Sequence, residues 1–476
     1  MCRKGSGRRF SLPALTLIVT AGLCTLGLAE AAPRKPISPS KLAMFSRVLS
    51  YVESQYVEDV DQDELVYGAI KGMLDSLDPH TTFLRPEQYR EMKNDTSGQF
   101  SGIGIEVDQR DGVLTIVSVI EGTPAARAGL QAGDQVLRID DQPTRQMMDY
   151  IQKMRGKRGA QVSLTVQRSG WKEPRSFAMV RDIIRIRSVE GFLLEPGYGV
   201  LRVKQFTDNM DREVELQLAA MERDSGGKLS GLVLDLRSNP GGLLDQAVRL
   251  ADIFIEHGLI VRTEGRGGRI LDEERARPEG TRIGFPIICL VNGGSASAAE
   301  IVAGALQDHG RALVMGTQTY GKGSVQTIVE LEDGSALKLT IARYYTPSGR
   351  SIQEKGITPD VVVDQVRLSD GKLVVKDEPS QKERDLQGHL KNRQKLGQEA
   401  GPPPGYSVIA QRTPQGEDFQ LRTAYDYLKA WHLFATRLLH RGPRPESSHP
   451  GPKGPAATEQ QRPVGDRALR NDTKVE

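Results

Sequence analysis

The spacing of apolar and polar residues changes several times along this chain, and each change marks a new element. Leu42, Phe45, Val48, Leu49 and Val52, then Leu65, Ile70, Met73 and Leu74, recur at helical spacing and predict helices between residues 42 and 78. Asp63 and Glu64 suit the positive end of the second helix. Residues 103–107, 113–117, 134–139 and 161–167 read as strands. Residues 122–130 read as a turn feeding a short helix, and 147–154 as a helix. Mostly apolar runs at 231–237 and 286–291 read as buried strands, each followed by a tight turn and a helix, at 243–255 and 296–307. Residues 313–316, 324–331 and 336–345 add strands, so the repeated strand–turn–helix pattern predicts an α/β core. Residues 370–442 are charged and only partly patterned. One amphipathic helix is expected over 424–439, with Tyr427, Trp431, Phe434 and Leu438 on one face and Leu428 and Ala435 beside them. That helix serves either as an assembly surface or as packing for this chain's own core. After 442 the chain lacks the apolar residues needed for a core, and disorder is expected.

The 476 residues allow two or three domains, and 50 glycines with 26 prolines suit a loop-rich architecture. The N-terminus reads as an export signal: Arg3, Lys4, Arg8 and Arg9, an apolar stretch over 11–28, then Ala29-Glu30-Ala31. An uncleaved anchor helix is the alternative. Cleavage after Ala31 removes four basic residues and one acidic residue from a chain of net charge +3, leaving it near neutral. Nothing electrostatic then favours nucleic acid as a partner. Cys2 and Cys24 leave with the signal, and Cys289, inside an apolar run, reads as a small buried hydrophobe. There is no H-E-x-x-H or paired-cysteine spacing, so neither metal nor cofactor is expected.

The chemistry concentrates in Gly294-Ser295-Ala296-Ser297-Ala298-Ala299-Glu300 and Tyr320-Gly321-Lys322-Gly323, with Lys322 lying 25 residues after Ser297. A serine hydroxyl needs a base to become a nucleophile. Lysine qualifies only if its ordinary pKa of about 10.4 falls, and burial lowers it by up to about 3–5 units. Gly321, Gly323 and Val325 place no carboxylate beside Lys322 in sequence. If 322–326 runs extended, Lys322 and Gln326 face the same way. Ser297-x-x-Glu300 is also a helix capping box, and the two roles are compatible. A serine at a helix start lies beside free amides, so the Ala298 N–H is placed to meet an oxyanion. Ser295 is the other candidate nucleophile. A Ser-His-Asp triad would draw on His80, His257 or His309, none of which lies in a triad motif.

Ser101-Gly102-Ile103-Gly104, followed by Gly129-Leu130-Gln131-Ala132-Gly133-Asp134, resembles a PDZ domain. That likeness implies a peptide C-terminus added as a strand, with loop amides on its carboxylate. The alternative is that these glycines only make tight turns. From 42 to 364 the chain resembles the C-terminal processing peptidases, or tail-specific serine proteases. The matching motifs are Leu77-Asp78-Pro79-His80, Asp235-Leu236-Arg237-Ser238-Asn239-Pro240-Gly241-Gly242, the two Ser/Lys segments, 345–352 and 355–360.

The resemblance implies an α/β fold: a crotonase/Clp-like protease core with an inserted PDZ domain and an N-terminal helical region. The expected divisions are signal 1–31, linker and helices 32–97, PDZ 98–182, protease core 183–366 with parts of 77–97 packed on it, a charged and helical region 367–441, and a tail 442–476. It implies Ser297 as nucleophile, Lys322 as general base and Gln326 as its orienting partner. Ala298 with Gly241 or Gly242 would form the oxyanion hole. Ser101, Gly102, Ile103 and Gly104 would bind the substrate tail, and Arg155 would couple the loaded PDZ domain to the protease. Unfolded or C-terminally marked proteins are the implied substrates, with a homo-oligomer and a helical-repeat lipoprotein adaptor as implied partners, in the bacterial periplasm. The alternatives are a non-catalytic PDZ scaffold and a crotonase-like acyl-transfer enzyme.

Overall fold

The computed structural model describes residues 38–110, 113–140, 142–143, 153–185, 187–369, 372–375, 381–392, 406–408 and 418–439. The chain forms two units, Met1–Ala69 and Ile70–Glu476. In the first, the helix Pro39–Gln55 buries none of its residues. The next helix, Gln62–Asp75, begins in this unit, capped by Asp61 Oδ1, which accepts the N–H groups of Asp63 at 2.8 Å and Glu64 at 3.2 Å.

In the second unit a seven-stranded sheet runs in the order Val189–Glu195, Tyr198–Val203, Gly231–Asp235, Ile287–Val291, Ala312–Gly316, Val361–Val363, Tyr406–Val408. The first pair is antiparallel and the rest are parallel. Strand alternation sends Leu232, Leu234, Cys289 and Val291 to one face and Val233, Ile288 and Leu290 to the other. The first face packs against residues of the helices Met210–Asp224, Leu244–Asp252 and Ala298–Asp308. The second is covered by the C-terminal helix Phe419–Leu439 through Ala424 and Leu428. Burial on both faces explains why these strands read as unbroken apolar runs. A second, antiparallel sheet joins Thr82–Leu84, Ala336–Tyr345, Gly258–Glu264 and Ile270–Ala276, and Ser324–Glu330 also pairs with Ala336–Tyr345. Residues from the Leu77–His80 neighbourhood thus lie against the protease core.

The PDZ segment has its own core, including Ile103, Leu114, Ile116, Val136, Ile139 and Leu164. Its sheet runs Ile105–Arg110, Val113–Val119, Gln135–Ile139, Gln161–Gln167, Arg175–Val180. The buried Asp134 carboxylate is held by Arg168 at 2.6 and 2.8 Å.

Two expectations change. The boundary at 366 falls inside the core sandwich, because Tyr406–Val408 extends its sheet and the C-terminal helix covers it. That helix also turns a different face inward. Ala424 and Leu428 are buried, with Leu421 and Tyr425 packed beside them, because this stripe lets the helix approach the sheet closely. Tyr427, Trp431 and Phe434 remain exposed, and the side chains of Ala435 and Leu438 are, respectively, half-buried and outside the described residues. Nearly all of the expected helix 147–154, the signal 1–31 and the tail 442–476 also lie outside the described residues.

Candidate active site

Two tight turns at the ends of neighbouring parallel strands build the site. Asn292 Oδ1 accepts the N–H of Ser238 at 2.8 Å and of Gly294 at 3.0 Å, which ties the turns together. Ser295 is spent on the same joint: its hydroxyl donates to the Leu236 carbonyl at 2.7 Å and accepts the Asn292 N–H at 3.0 Å. Ser297 has φ 55° and ψ −114°, a conformation that costs a residue with a β-carbon and is kept only where the surroundings impose it. It lies at the sharp turn into the helix Ala298–Asp308. The Glu300 N–H faces both Ser297 oxygens, but its hydrogen bond goes to the carbonyl at 2.9 Å, and the hydroxyl makes no cap bond.

Gly241 is required here by packing. A Cβ on it would lie 2.8 Å from the Ser297 Cβ and 3.1 Å from the Ala298 nitrogen. Its own N–H donates to Asn239 Oδ1 at 2.8 Å. Among the described residues the N–H groups of Gly242 and Ala298 make no hydrogen bond. Of the two glycine amides nominated from the sequence, the one on Gly242 is therefore available.

Glu300 joins the two halves of the site. Its fully buried carboxylate accepts the N–H of Ser297 at 2.8 Å and of Lys322 at 2.9 Å on one oxygen. The other oxygen takes the Gly321 N–H at 2.7 Å and the Thr319 hydroxyl at 2.5 Å. Burial pushes its pKa up to about 7, although these four bonds favour the anion. Sequence showed only its capping relation to Ser297. Its grip on the Lys322 loop, 22 residues onward, left no local signal.

Lys322 is mostly buried, and its amine has no hydrogen bond or ion pair among the described residues. Burial, followed by the like charge of Lys338, lowers its pKa, while Glu383, Glu300 and Asp78 act the other way. The net direction is the one a lysine base needs. Among the described residues Gln326 makes no hydrogen bond to Lys322. Its Nε2 donates to Ser324 Oγ at 2.9 Å and Thr340 Oγ1 at 3.3 Å, and Thr340 donates to Asp78 Oδ1 at 3.0 Å. Lys322 precedes the strand Ser324–Glu330, and the register slips between Val325 and Gln326. The extra residue, Ile341, is on the partner strand, so the even-spacing argument for a shared face fails because Lys322 lies outside the strand rather than because of the bulge.

The histidines are engaged elsewhere. His80 Nε2 donates to Glu383 at 2.8 and 3.0 Å, His309 Nε2 pairs with the Leu259 carbonyl at 2.7 Å, and His257 is exposed. Cys289 is fully buried, and burial pushes its thiol pKa up. Among the described residues no group of three His, Cys, Asp or Glu side chains is placed to hold a metal.

In the PDZ segment, Ser101 and Gly102 end the strand Gln99–Gly102, paired with Asp182–Arg185. Ile103 is buried, and Gly104 has φ 84° with Thr123 only 2.4 Å from where a Cβ would sit. The following strand, Ile105–Arg110, is at the edge of its sheet, the position to which a peptide strand can add. Among the described residues the Ser101 hydroxyl is buried without a hydrogen-bond partner. Arg155 contacts Asp95 at 3.6 Å and lies over the Phe100 ring at 5.3 Å, rather than reaching Lys322 or Gln326. Arg155, Phe100 and Ser101 line a cavity of about 550 Å³.

Three family models match this chain: peptidase family S41 over residues 197–363, PDZ domain over 115–168, and activating protease CtpB N-terminal domain over 26–87. A carboxy-terminal-processing protease of Bartonella bacilliformis is 42% identical over 82% of this chain and 88% of its own length. The carboxy-terminal processing protease CtpA of Bacillus subtilis is 35% identical over 73% of each chain. The solved photosystem II D1 C-terminal processing protease shares 29% identity, covering 68% of this chain and 93% of its own, with a TM-score of 0.43. With the peptidase segment, the PDZ segment and the N-terminal region all matched, the chain belongs to the carboxy-terminal-processing proteases, serine peptidases of family S41 that carry a PDZ domain.

Proposed function

We propose that this chain is an exported endopeptidase that recognises protein C-termini through its PDZ segment and cleaves with a Ser297–Lys322 dyad. The observation that carries the proposal is a mostly buried, unpaired Lys322 amine whose backbone is clamped by the same Glu300 carboxylate that holds Ser297. Neutral Lys322 takes the Ser297 proton as Oγ attacks the scissile carbonyl. The N–H groups of Ala298 and Gly242 receive the developing oxyanion. Lys322, now an ammonium, returns the proton to the departing amine, and water hydrolyses the acyl-enzyme by the reverse proton path. Gln326 orients Lys322 after giving up its Ser324 and Thr340 partners, and Arg155 signals tail binding by leaving Asp95. The substrates are unfolded or tail-marked proteins of the bacterial periplasm. A homo-oligomer and a helical-repeat lipoprotein adaptor are the proposed partners.

The test is a gel assay on an unfolded substrate with an apolar C-terminus, comparing wild type with Ser297→Ala and Lys322→Ala. Both variants are expected to lose cleavage. Cleavage that survives Lys322→Ala refutes the dyad and returns attention to histidine. Arg155→Ala is expected to abolish stimulation by a free tail peptide, and unchanged stimulation removes Arg155 from the scheme.

A further inference from the structure

The S41 match ends at residue 363, yet residues 381–392 reach back to the loop that carries Lys322. The contacts fall on both sides of the lysine. Before it, the Glu383 N–H donates to the Tyr320 carbonyl at 3.2 Å, and Lys382 Nζ donates to the carbonyls of Gln318 at 2.8 Å and Thr319 at 3.2 Å. After it, Glu383 Oε1 accepts from Gln353 Nε2 at 3.0 Å, while Gln353 Oε1 accepts the Gly323 N–H at 3.0 Å. The neighbouring Glu354 donates its N–H to the Gly321 carbonyl at 2.9 Å. Glu354 is itself held by His389 Nε2 at 2.7 Å and the Asn392 N–H at 2.6 Å. A Cβ on Gly323 would lie 2.3 Å from the Gln353 nitrogen, so the two loops are in close contact.

Glu383 is the centre of this arrangement. It is fully buried, and its carboxylate is bonded to His80 from the Leu77–His80 motif as well as to Gln353. A buried carboxylate with charge-assisted partners on two other segments is costly to leave half satisfied, so it fixes all three together. We propose that Glu383, delivered by residues 381–392, is a positioning residue for Lys322, holding its loop in register with Ser297 and placing a negative charge near its amine. The proposal rests on Lys322 being the base.

Charged groups face Lys322 from four elements: Lys338 from the strand Ala336–Tyr345, Glu300 from the helix Ala298–Asp308, Asp78 from the turn before Thr82–Leu84, and Glu383 from 381–392. Glu383 opposes the effect of burial and of Lys338. It therefore keeps the amine basic enough to accept the serine proton, while the other two keep it neutral enough to act.

Glu383→Gln is close to isosteric and retains acceptor and donor groups for His80 and Gln353, but it removes the charge. In the full chain the acid limb of the kcat/KM profile is expected to move to lower pH, with KM for the unfolded substrate unchanged. Glu383→Ala, which releases the loop as well, is expected to lower kcat about tenfold or more, again at constant KM. Thermal denaturation of both variants identifies any loss that is simply unfolding. A Glu383→Gln profile that superimposes on wild type, together with a wild-type kcat in Glu383→Ala while Lys322→Ala is inactive, overturns the positioning role and leaves the dyad standing. Activity in Lys322→Ala overturns the dyad itself.

Discussion

Arg237 and Lys322 are both buried cations in the protease core, and the protein treats them in opposite ways. Every part of the Arg237 guanidinium is engaged: Asp235 at 2.8 and 2.7 Å, Asp418 at 2.9 and 2.7 Å, and Gln420 Oε1 at 3.0 Å. Burial works against its charge, but hydrogen bonds to the two carboxylates outweigh that and raise its pKa above the usual arginine value. The network joins the end of the strand Gly231–Asp235 to the start of the C-terminal helix. Lys322 receives carboxylates only at a distance, and none bonds its amine. Pairing turns a buried cation into a structural tie, whereas withholding the partner makes it a group that gives up its proton.

The largest expected effect comes from removing the unpaired cation. Lys322→Met should cut cleavage by about 10²–10⁴-fold, the range typical of a lost general base, yet raise thermal stability. The sign follows from linkage. Because the folded-state pKa is lowered, the unfolded chain binds more protons between that value and about 10.4, and wild-type stability rises with pH across that window. The stability gap between the Met variant and wild type should thus be widest below the lowered folded-state pKa and close as pH rises from there toward about 10.4. A Met variant less stable than wild type at every pH would mean that the amine has partners, and the contrast with Arg237 would fail.

Removing the paired cation should act the other way. Arg237→Met strands Asp235, which is 1% exposed and, among the described residues, keeps only Arg202, at 2.9 Å, as a compensating charge. Breaking one partner of a buried ion network costs roughly 3–5 kcal/mol, and the surviving Arg202 places this case near the lower end. Urea midpoints measure it. A loss below about 1 kcal/mol would mean that the network behaves like a surface pair.

The same contrast explains what was legible in the sequence. Arg237 and Ser297 sit in strand–turn–helix segments whose apolar runs and glycines announce them locally. The helix expected at 296–307 is observed at Ala298–Asp308, and the strand expected at 336–345 is observed there, each from local pattern and the turn before it. Lys322 was legible as a motif, but not its environment, because Glu300, Lys338 and Glu383 reach it from separate elements. Residues 381–392 carry no period and many charges, and so read as loosely structured. Their order comes from long-range bonds to 318–320 and 353–354, which no local pattern encodes. The spacing argument for Gln326 was limited in the same way: Lys322 lies before the strand Ser324–Glu330, where two-residue alternation no longer applies.

The smallest expected effect is also the finest test of how Lys322 is tuned. Lys338 shares the strand Ala336–Tyr345 with Thr340, two residues apart and so on the same face, and lies opposite Ile328 in the pairing that also sets Gln326 against Thr340. Its like charge is the second largest influence lowering the Lys322 pKa, after burial. Lys338→Met removes that charge and keeps the apolar stem, so the Lys322 amine becomes easier to protonate. The acid limb of the kcat/KM profile should then move to higher pH, while the rate on the alkaline side of that limb stays at the wild-type level. A merely structural role would instead depress the rate equally at every pH. The shift is opposite in sign to that expected for Glu383→Gln, so combining the two variants should bring the limb back toward wild type. If both single variants shift it the same way, the two side chains act on the loop's geometry rather than on the charge of Lys322.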